Sequence, residues 1–232
     1  MFCSLMVSNI ASAGLYDQAT AQGAKWLAAE QNRNKDGSWG ESPDTQPIYT
    51  SAAILALDAS YKRQNAYFAG LTWLENHASS NVDLLSRRVG ALTSHGDTLS
   101  YVLSYLQNTQ VHNGASYFGW GLSPGYTSSA IDTALALIAY ADMKQNLTEQ
   151  VEAALVFLKN NQRTKVNDKG WTISNANTSD PAVTALVIQA LSRFATQDTS
   201  LNIVIENGLE TLNSLVDVSA PPILQALAAQ AS

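Results

Sequence analysis

The chain has 232 residues, enough for one large domain or two small ones with a substantial hydrophobic core. Its 13 Lys and Arg against 19 Asp and Glu leave a net charge of −6, so it lacks the positive field that non-specific nucleic-acid binding requires. Charged residues make up only 14% of the chain and hydrophobic residues 46%, with no run of eighteen apolar residues, which points away from disorder and from a membrane span.

At the amino terminus, Met1 to Val7 is apolar and Ala11-Ser12-Ala13 fits the small-residue pattern of a signal-peptidase site, without a basic region before it. Residues 1–13 read as the remnant of a secretory signal, and 14–232 as a single domain that matures in an extracytoplasmic place, secreted, periplasmic or on the cell surface. The alternative is an apolar leader that packs on the first helix. Cys3 is the only cysteine, which leaves no intramolecular disulfide and no Cys-rich zinc site.

The next feature along the chain is an internal repeat. Trp26-Leu27 is followed by Gln31 and then Asp36-Gly37-Ser38-Trp39; Tyr105-Leu106 by Gln110 and Gly119-Trp120; Phe157-Leu158 by Gln162 and Gly170-Trp171. The glutamine lies four residues after the leucine each time, and the tryptophan eight to ten after the glutamine. Each tryptophan leads into an alanine-rich element in which a threonine precedes an alanine by six residues: Thr50 and Ala56, Thr133 and Ala139, Thr184 and Ala190. Two weaker copies, around Trp73-Leu74 with Ala91-Leu92 and Thr211-Leu212 with Ala226-Leu227, bring the number of helix pairs to five.

Periodicity makes these elements helical. Val183, Leu186, Val187, Ala190, Leu191 and Phe194 share one face of a helix, and further apolar residues around it predict nearly complete burial. The preceding segment is more amphipathic, with Val151, Ala154, Leu155 and Leu158 on one side and Glu149, Glu152 and Lys159 on the other. First helices are therefore expected outside and second helices inside. The 33 alanines suit this packing, because small side chains favour helices and let them approach closely. Asp180-Pro181 and Thr148-Glu149 supply helix starts, each with an N-cap oxygen and a favourable first residue.

Lys25-Trp26-Leu27, Gln31 and Asp36-Gly37-Ser38-Trp39 resemble the QW repeat of the squalene–hopene cyclase and protein prenyltransferase superfamily. The resemblance extends over nearly the whole chain after Gly14. It implies an all-α fold: an α/α-toroid of about five helical hairpins, with inner helices buried, QW loops at one rim, and an open or incomplete ring where relatives close with six or more. It also implies a structural role for Gln31, Trp39, Gln110, Trp120, Gln162 and Trp171, which in the family tie neighbouring helices together.

The family's chemistry does not carry over. Cyclases of the superfamily place an Asp-x-Asp-Asp-Thr-Ala motif at an inner helix start; Ser129-Ala130-Ile131-Asp132-Thr133-Ala134 keeps the last three positions, with Ile131 in place of the proton donor. Asp132 is the one weak catalytic candidate, and Ser129 with Asp132 also reads as a capping box. Protein prenyltransferases hold zinc through Asp, Cys and His; here the only thiol, Cys3, lies outside the repeats, and His77, His95 and His112 lack helical ligand spacing. No cofactor and no metal are implied.

Two further patterns read as turns. Gly121-Leu122-Ser123-Pro124-Gly125 matches a nucleophile elbow, but Pro124 has no N–H for an oxyanion hole and no strand is expected before it. Asn32, Asn34 and Asp36-Gly37 resemble half of a calcium loop whose twelfth position would be Pro43. Asn146-Leu147-Thr148 and Asn177-Thr178-Ser179 are sequons.

Aromatic residues gather in or beside the long loops: Trp39, Tyr49, Tyr117, Phe118, Trp120, Tyr126 and Trp171. Trp39, Tyr49, Trp120, Tyr126 and Trp171 are the ligand-binding candidates, for an isoprenoid, a glycan or a peptide; the competing expectation is that these rings seal one end of the fold. Two functions result, a non-catalytic binding or scaffold module belonging to a larger surface protein, and a terpenoid cyclase or prenyltransferase-like enzyme acting through Asp132.

Overall fold

Helix-forming residues and apolar side chains at helical spacing produce a mostly helical molecule in the computed structural model. The structure describes residues 3–215 apart from 78, 94, 96–98, 113–117, 146 and 175, and the side chains of 3–16, 32 and 112 lie outside the description. The helices among the described residues are α1 (Cys3–Asn34), α2 (Gln46–Ala59), α3 (Asn65–Asn76), α4 (Val82–Thr93), α5 (Ser100–Thr109), α6 (Ala130–Asp142), α7 (Glu149–Asn160), α8 (Pro181–Ser192) and α9 (Leu201–Leu215). Two short strands, β1 (Val111–His112) and β2 (Phe118–Gly119), pair antiparallel between α5 and α6.

The helices follow one another in the order expected, α1 and α2, α3 and α4, α5 and α6, α7 and α8, with α9 at the place of the first helix of the fifth copy. Ala226-Leu227, expected in the partner of α9, lies outside the described residues. So does any side-chain environment for the signal remnant, whose backbone from Cys3 onward is part of α1. No described helix is long and apolar enough to cross a membrane.

The chain divides into two compact units, and the division falls within α4. The first comprises Met1–Ala78 and Gly90–Asp97. Within it α1, α2 and α3 pack together. Ala53, Ile54 and Leu57 of α2 and Tyr67, Leu71 and Leu74 of α3 are buried. Pro47 in the first turn of α2 occupies a position where its missing N–H costs nothing. The helix stops where Tyr61 takes a left-handed conformation (φ 54°) and Lys62 donates its N–H to Leu57 O at 2.8 Å.

The second unit comprises Ser79–Val89 and Thr98–Ser232. Here α6 lies against α8, α8 against α9, and α7 against α6 and β2. Burial of α6 and α8 is nearly complete, as expected for second helices, with Ala134, Ala136, Leu137, Ala139, Ala185, Val187, Ile188 and Ala190 all inaccessible. The amphipathic reading of α7 also holds: Val151, Ala154, Leu155 and Leu158 are buried and Glu149 and Glu152 exposed. Its N-cap Thr148 accepts from Val151 N at 3.3 Å, and Asp180 caps α8 by accepting from Val183 N at 2.9 Å.

The expectation of buried second helices holds for only one side of α2, where Thr50, Ser51, Ala53, Ile54 and Leu57 are buried. Ala52, Leu55, Ala56 and Ala59 on its other side are exposed.

Candidate functional site

The repeat motif builds the same clamp three times. The glutamine at the end of the first helix reaches a carbonyl near the start of the next one: Gln31 Nε2 to Ala66 O at 2.7 Å, Gln110 Nε2 to Gln150 O at 2.9 Å, Gln162 Nε2 to Val204 O at 2.8 Å. The tryptophan indole N–H returns to the carbonyl of the motif leucine, Trp39 to Leu27 at 2.7 Å, Trp120 to Leu106 at 2.8 Å and Trp171 to Leu158 at 2.9 Å. In α5 and α7 that carbonyl lies in the last turn, where the helix runs out of its own N–H donors. The repeat threonine completes the clamp by accepting the tryptophan backbone N–H, with Thr50, Thr133 and Thr184 at 2.9, 3.0 and 3.1 Å.

A small residue stands four positions after the glutamine's acceptor in each copy, Gly70, Ala154 and Gly208, and in two of them it sets the space under the indole. A Cβ at Gly70 would stand 2.6 Å from Trp39 Cζ3, and one at Gly208 2.9 Å from Trp171 Cζ3. Glycine before the tryptophan has a similar cause in two copies, since a Cβ at Gly119 or Gly170 would meet the clamp threonine's Oγ1 at 2.6 or 2.5 Å.

These contacts separate the five aromatic ligand candidates. Trp120 and Trp171 have no accessible surface, so neither ring presents a face to a ligand; the clamp needs them inside, and their place among the contact residues is corrected. Trp39 is buried on its clamp side and borders an open groove. Tyr49 and Tyr126 are exposed, at 54% and 58%. Tyr126 lies in the second unit beside a small cavity of about 350 Å³ with Gln110, Pro124 and Gly125. Tyr117 lies outside the described residues.

Asp132 is buried in the first turn of α6, where Ser129 Oγ accepts from Asp132 N at 3.0 Å and donates to Asp132 Oδ2 at 2.6 Å. The Ser129 half of the capping box therefore forms; the returning bond goes to the serine hydroxyl, because Ser129 N donates to Trp120 O. Burial raises the Asp132 pKa, the Ser129 hydroxyl opposes that, and the Asp83 carboxylate adds to it.

The remaining motifs resolve as local structure. Ser123 O accepts from Tyr126 N at 3.0 Å in a turn, and Gly125 has φ 88°; contrary to expectation a strand, the two-residue β2, does precede this stretch. Asp36 Oδ1 accepts from Ser38 N and Ser38 Oγ at 2.9 and 2.7 Å, and Oδ2 from the Trp73 indole at 3.2 Å. Burial pushes the Asp36 pKa up, but these donors together outweigh it and hold the group below its ordinary value. A carboxylate so occupied closes a turn. Among the described residues no group of three or more His, Cys, Asp and Glu could hold a metal. His77 stacks on Trp73 at 3.9 Å and donates from Nδ1 to Trp73 O, His95 sits edge-on to Tyr67 and Phe68, and the His112 side chain is outside the description. Asn177 is exposed and its carbonyl accepts from Arg163 and Lys165, while Asn146 is not among the described residues.

A groove of about 730 Å³ with room for a ligand lies between α1 and α2 in the first unit. Trp26, 61% exposed, and Tyr49 stand on its lining, with Trp39, Ala52, Ala53 and Ala56. Glu30, Arg33 and Glu41 supply charge, and Arg33 pairs with Glu30 at 3.1 Å. Its volume is within the usual range of small-ligand pockets, roughly 300–1,000 Å³. The sequence singled out Tyr49 but not Trp26, whose motif partners Tyr105 and Phe157 are more enclosed. A usable signal was the residue before each repeat threonine: Tyr49 stands where Asp132 and Val183 stand in the other copies.

Compared with models of protein families, with curated proteins and with solved structures, the chain matches none.

Proposed function

We propose that the chain is a non-catalytic binding or scaffold module, built as an α/α-toroid of QW-type repeats and acting outside the cytoplasm as part of a larger surface protein. The observation that carries the binding role is the α1–α2 groove. It is open, lined by aromatic rings and alanines, and flanked by charge of both signs. Large exposed rings beside an apolar hollow bury much area on contact at small cost in side-chain entropy. The three identical clamps support the repeat architecture, since each ties one helix pair to the next helix.

The test compares the full chain with a Trp26→Ala, Tyr49→Ala double variant on glycan, peptide and lipid arrays on which the chain itself is also immobilised. Both substituted side chains are more than half exposed, so the fold should persist. A ligand bound by the wild type and lost by the variant supports the reading. Binding unchanged in the variant, or no binding to any of these surfaces, overturns it.

A second reading, an enzyme acting on an isoprenoid, draws on one observation: Asp132 is a buried carboxyl with a raised pKa, as a proton donor needs. Incubation of wild type and Asp132→Asn with squalene and prenyl diphosphates, followed by mass spectrometry, tests it. Product from the wild type alone would favour the enzyme, and no product from either would remove it.

A further inference from the structure

We infer that the face of α1 around Gly23 is the receiving half of a repeat joint, taken by the trailing end of a helix pair of the same repeat type on a separate polypeptide. The inference rests on the reading of the chain as a repeat-built binding module and names its partner.

Three other first helices show what occupies this face. Eight residues before the motif leucine stands the carbonyl that accepts from the preceding copy's glutamine: Ala66 in α3, Gln150 in α7 and Val204 in α9. Four residues before that leucine stand Gly70, Ala154 and Gly208, each buried. The two glycines show what fills the space beside them. A Cβ on Gly70 would meet Trp39 Cζ3 at 2.6 Å and Ile54 Cδ1 at 3.2 Å, and one on Gly208 would meet Trp171 Cζ3 at 2.9 Å and Ile188 Cδ1 at 3.1 Å. In both cases these are the tryptophan of the preceding copy and the residue four after its threonine.

In α1 the same count from Leu27 gives Ala19 and Gly23. Both are exposed, and a Cβ on Gly23 would have nothing within 4 Å. Glycine in the interior of a helix is unfavourable, and no described neighbour requires one here. The place for an indole is thus kept in α1 without an indole in it. Gly23, Trp26, Leu27 and Glu30 share one side of the helix, so this face runs on into the groove. The second helices agree: α8 lies against α6, the second helix of the copy before it, and among the described residues no second helix precedes α2.

The occupant is defined by the joints already formed. It carries a leucine, a glutamine four residues on and a tryptophan eight to ten beyond that, with Ile or Leu four residues after the threonine of its second helix. A folded second copy does not offer these, because Gln31, Gln110 and Gln162 and their tryptophans are engaged in its own clamps. Nor does a copy joined directly to α1. The preceding second helix ends seven residues before Ala66, eight before Gln150 and twelve before Val204, whereas residues 7–12, the same distances before Ala19, all lie within α1. A separate polypeptide meets the requirement.

In the purified full chain, Gly23→Ala should leave the urea midpoint of unfolding unchanged or raised, and Gly70→Ala should lower it. A midpoint lowered by Gly23→Ala as much as by Gly70→Ala means that the space is already filled and overturns the inference. The partner is read in the cells that make the protein, with p-benzoylphenylalanine in place of Trp26, photo-cross-linking and mass spectrometry. The expected product joins position 26 to a peptide of another protein with the leucine, glutamine and tryptophan at the stated spacing. Gly23→Leu in the same chain should cut its yield at least about tenfold, by filling the place of the indole. No product, a peptide of any other pattern, a peptide of the same polypeptide, or a yield that Gly23→Leu leaves unchanged overturns the inference. Array binding through Trp26 and Tyr49 without the expected cross-link removes the joint and leaves the binding reading in place. Loss of array binding and cross-link alike removes both.

Discussion

The first helix pair, α1–α2, and the last complete one, α7–α8, close the same clamp and differ in what lies outside it. Trp39 and Trp171 each donate an indole N–H to the motif leucine and a backbone N–H to the repeat threonine, at distances that agree within 0.2 Å. Beyond the clamp, α8 is enclosed by α6 and α9, whereas α2 leaves Ala52, Leu55 and Ala56 open. The clamp is therefore a property of the helix pair and the helix that follows it, independent of whether the second helix is covered on its other side. That independence lets a helix pair keep its clamp where the second helix is open on one side.

The comparison is broken most forcefully at the tryptophans. Trp171→Ala would leave a sealed cavity under Gly208 and Ile188 and should cost roughly 3–5 kcal/mol. Trp39→Ala removes the same two functions of the ring but opens onto the α1–α2 groove, where water can enter, so its loss should be smaller. Urea denaturation followed by far-ultraviolet circular dichroism separates the two; equal losses would mean that the groove gives no relief and that the two environments are alike.

The threonines should behave in the opposite way, equally in all copies. Thr50, Thr133 and Thr184 are completely buried, and each accepts one tryptophan N–H. Replacement by Val keeps the shape and leaves that N–H without its acceptor, at about 1–3 kcal/mol each by denaturation. A Thr50→Val effect well outside the other two would show that exposure of α2 reaches into the clamp. Gly208→Ala should follow with about 1–3 kcal/mol, since the new methyl meets Trp171 Cζ3 at 2.9 Å and Ile188 Cδ1 at 3.1 Å. Ala154→Gly, at the matching place in the sequence of the second clamp, should cost at least about 1 kcal/mol, through helix propensity and the loss of a buried methyl.

Much of this was legible because it depends on spacing. Leucine to glutamine, glutamine to tryptophan and threonine to alanine recur at fixed or nearly fixed distances, and the hydrogen bonds follow those positions. Helix starts at Thr148 and Asp180 were legible for the same local reason. Coverage was not. The alanines of α2 resemble those of α6 and α8 in composition, and only the neighbours decide that Ala139 and Ala190 are buried while Ala56 is exposed. Ligand candidates suffered from that limit: an aromatic residue in a loop reads alike whether its ring is locked into a clamp, as in Trp120, or left in solvent, as in Tyr126. Trp26 was visible as a motif residue, yet nothing in its motif distinguishes it from the more enclosed Phe157.

The smallest expected effect compares two carboxylates of the second unit, and its sign differs between them. Asp168 accepts from Arg163 Nε at 2.6 Å and from the Ser179 hydroxyl. Burial raises its pKa, but these partners outweigh burial and hold it below 3.8. A depressed carboxylate contributes stability that is present above the unfolded value and lost as pH falls through the folded one. Asp132 is shifted the other way by burial, so the folded chain takes up that proton before the unfolded chain does. Its contribution is complete below 3.8 and disappears as pH rises through the elevated folded value. Melting temperatures measured from neutral to strongly acid pH should therefore fall less for Asp168→Asn than for the wild type. They should fall more for Asp132→Asn, which removes a gain on the acid side. If Asp132→Asn instead matches the wild type at every pH, the carboxyl at the start of α6 is solvated as fully as a surface group, and the enclosure that distinguishes α6 from α2 does not extend to its first turn.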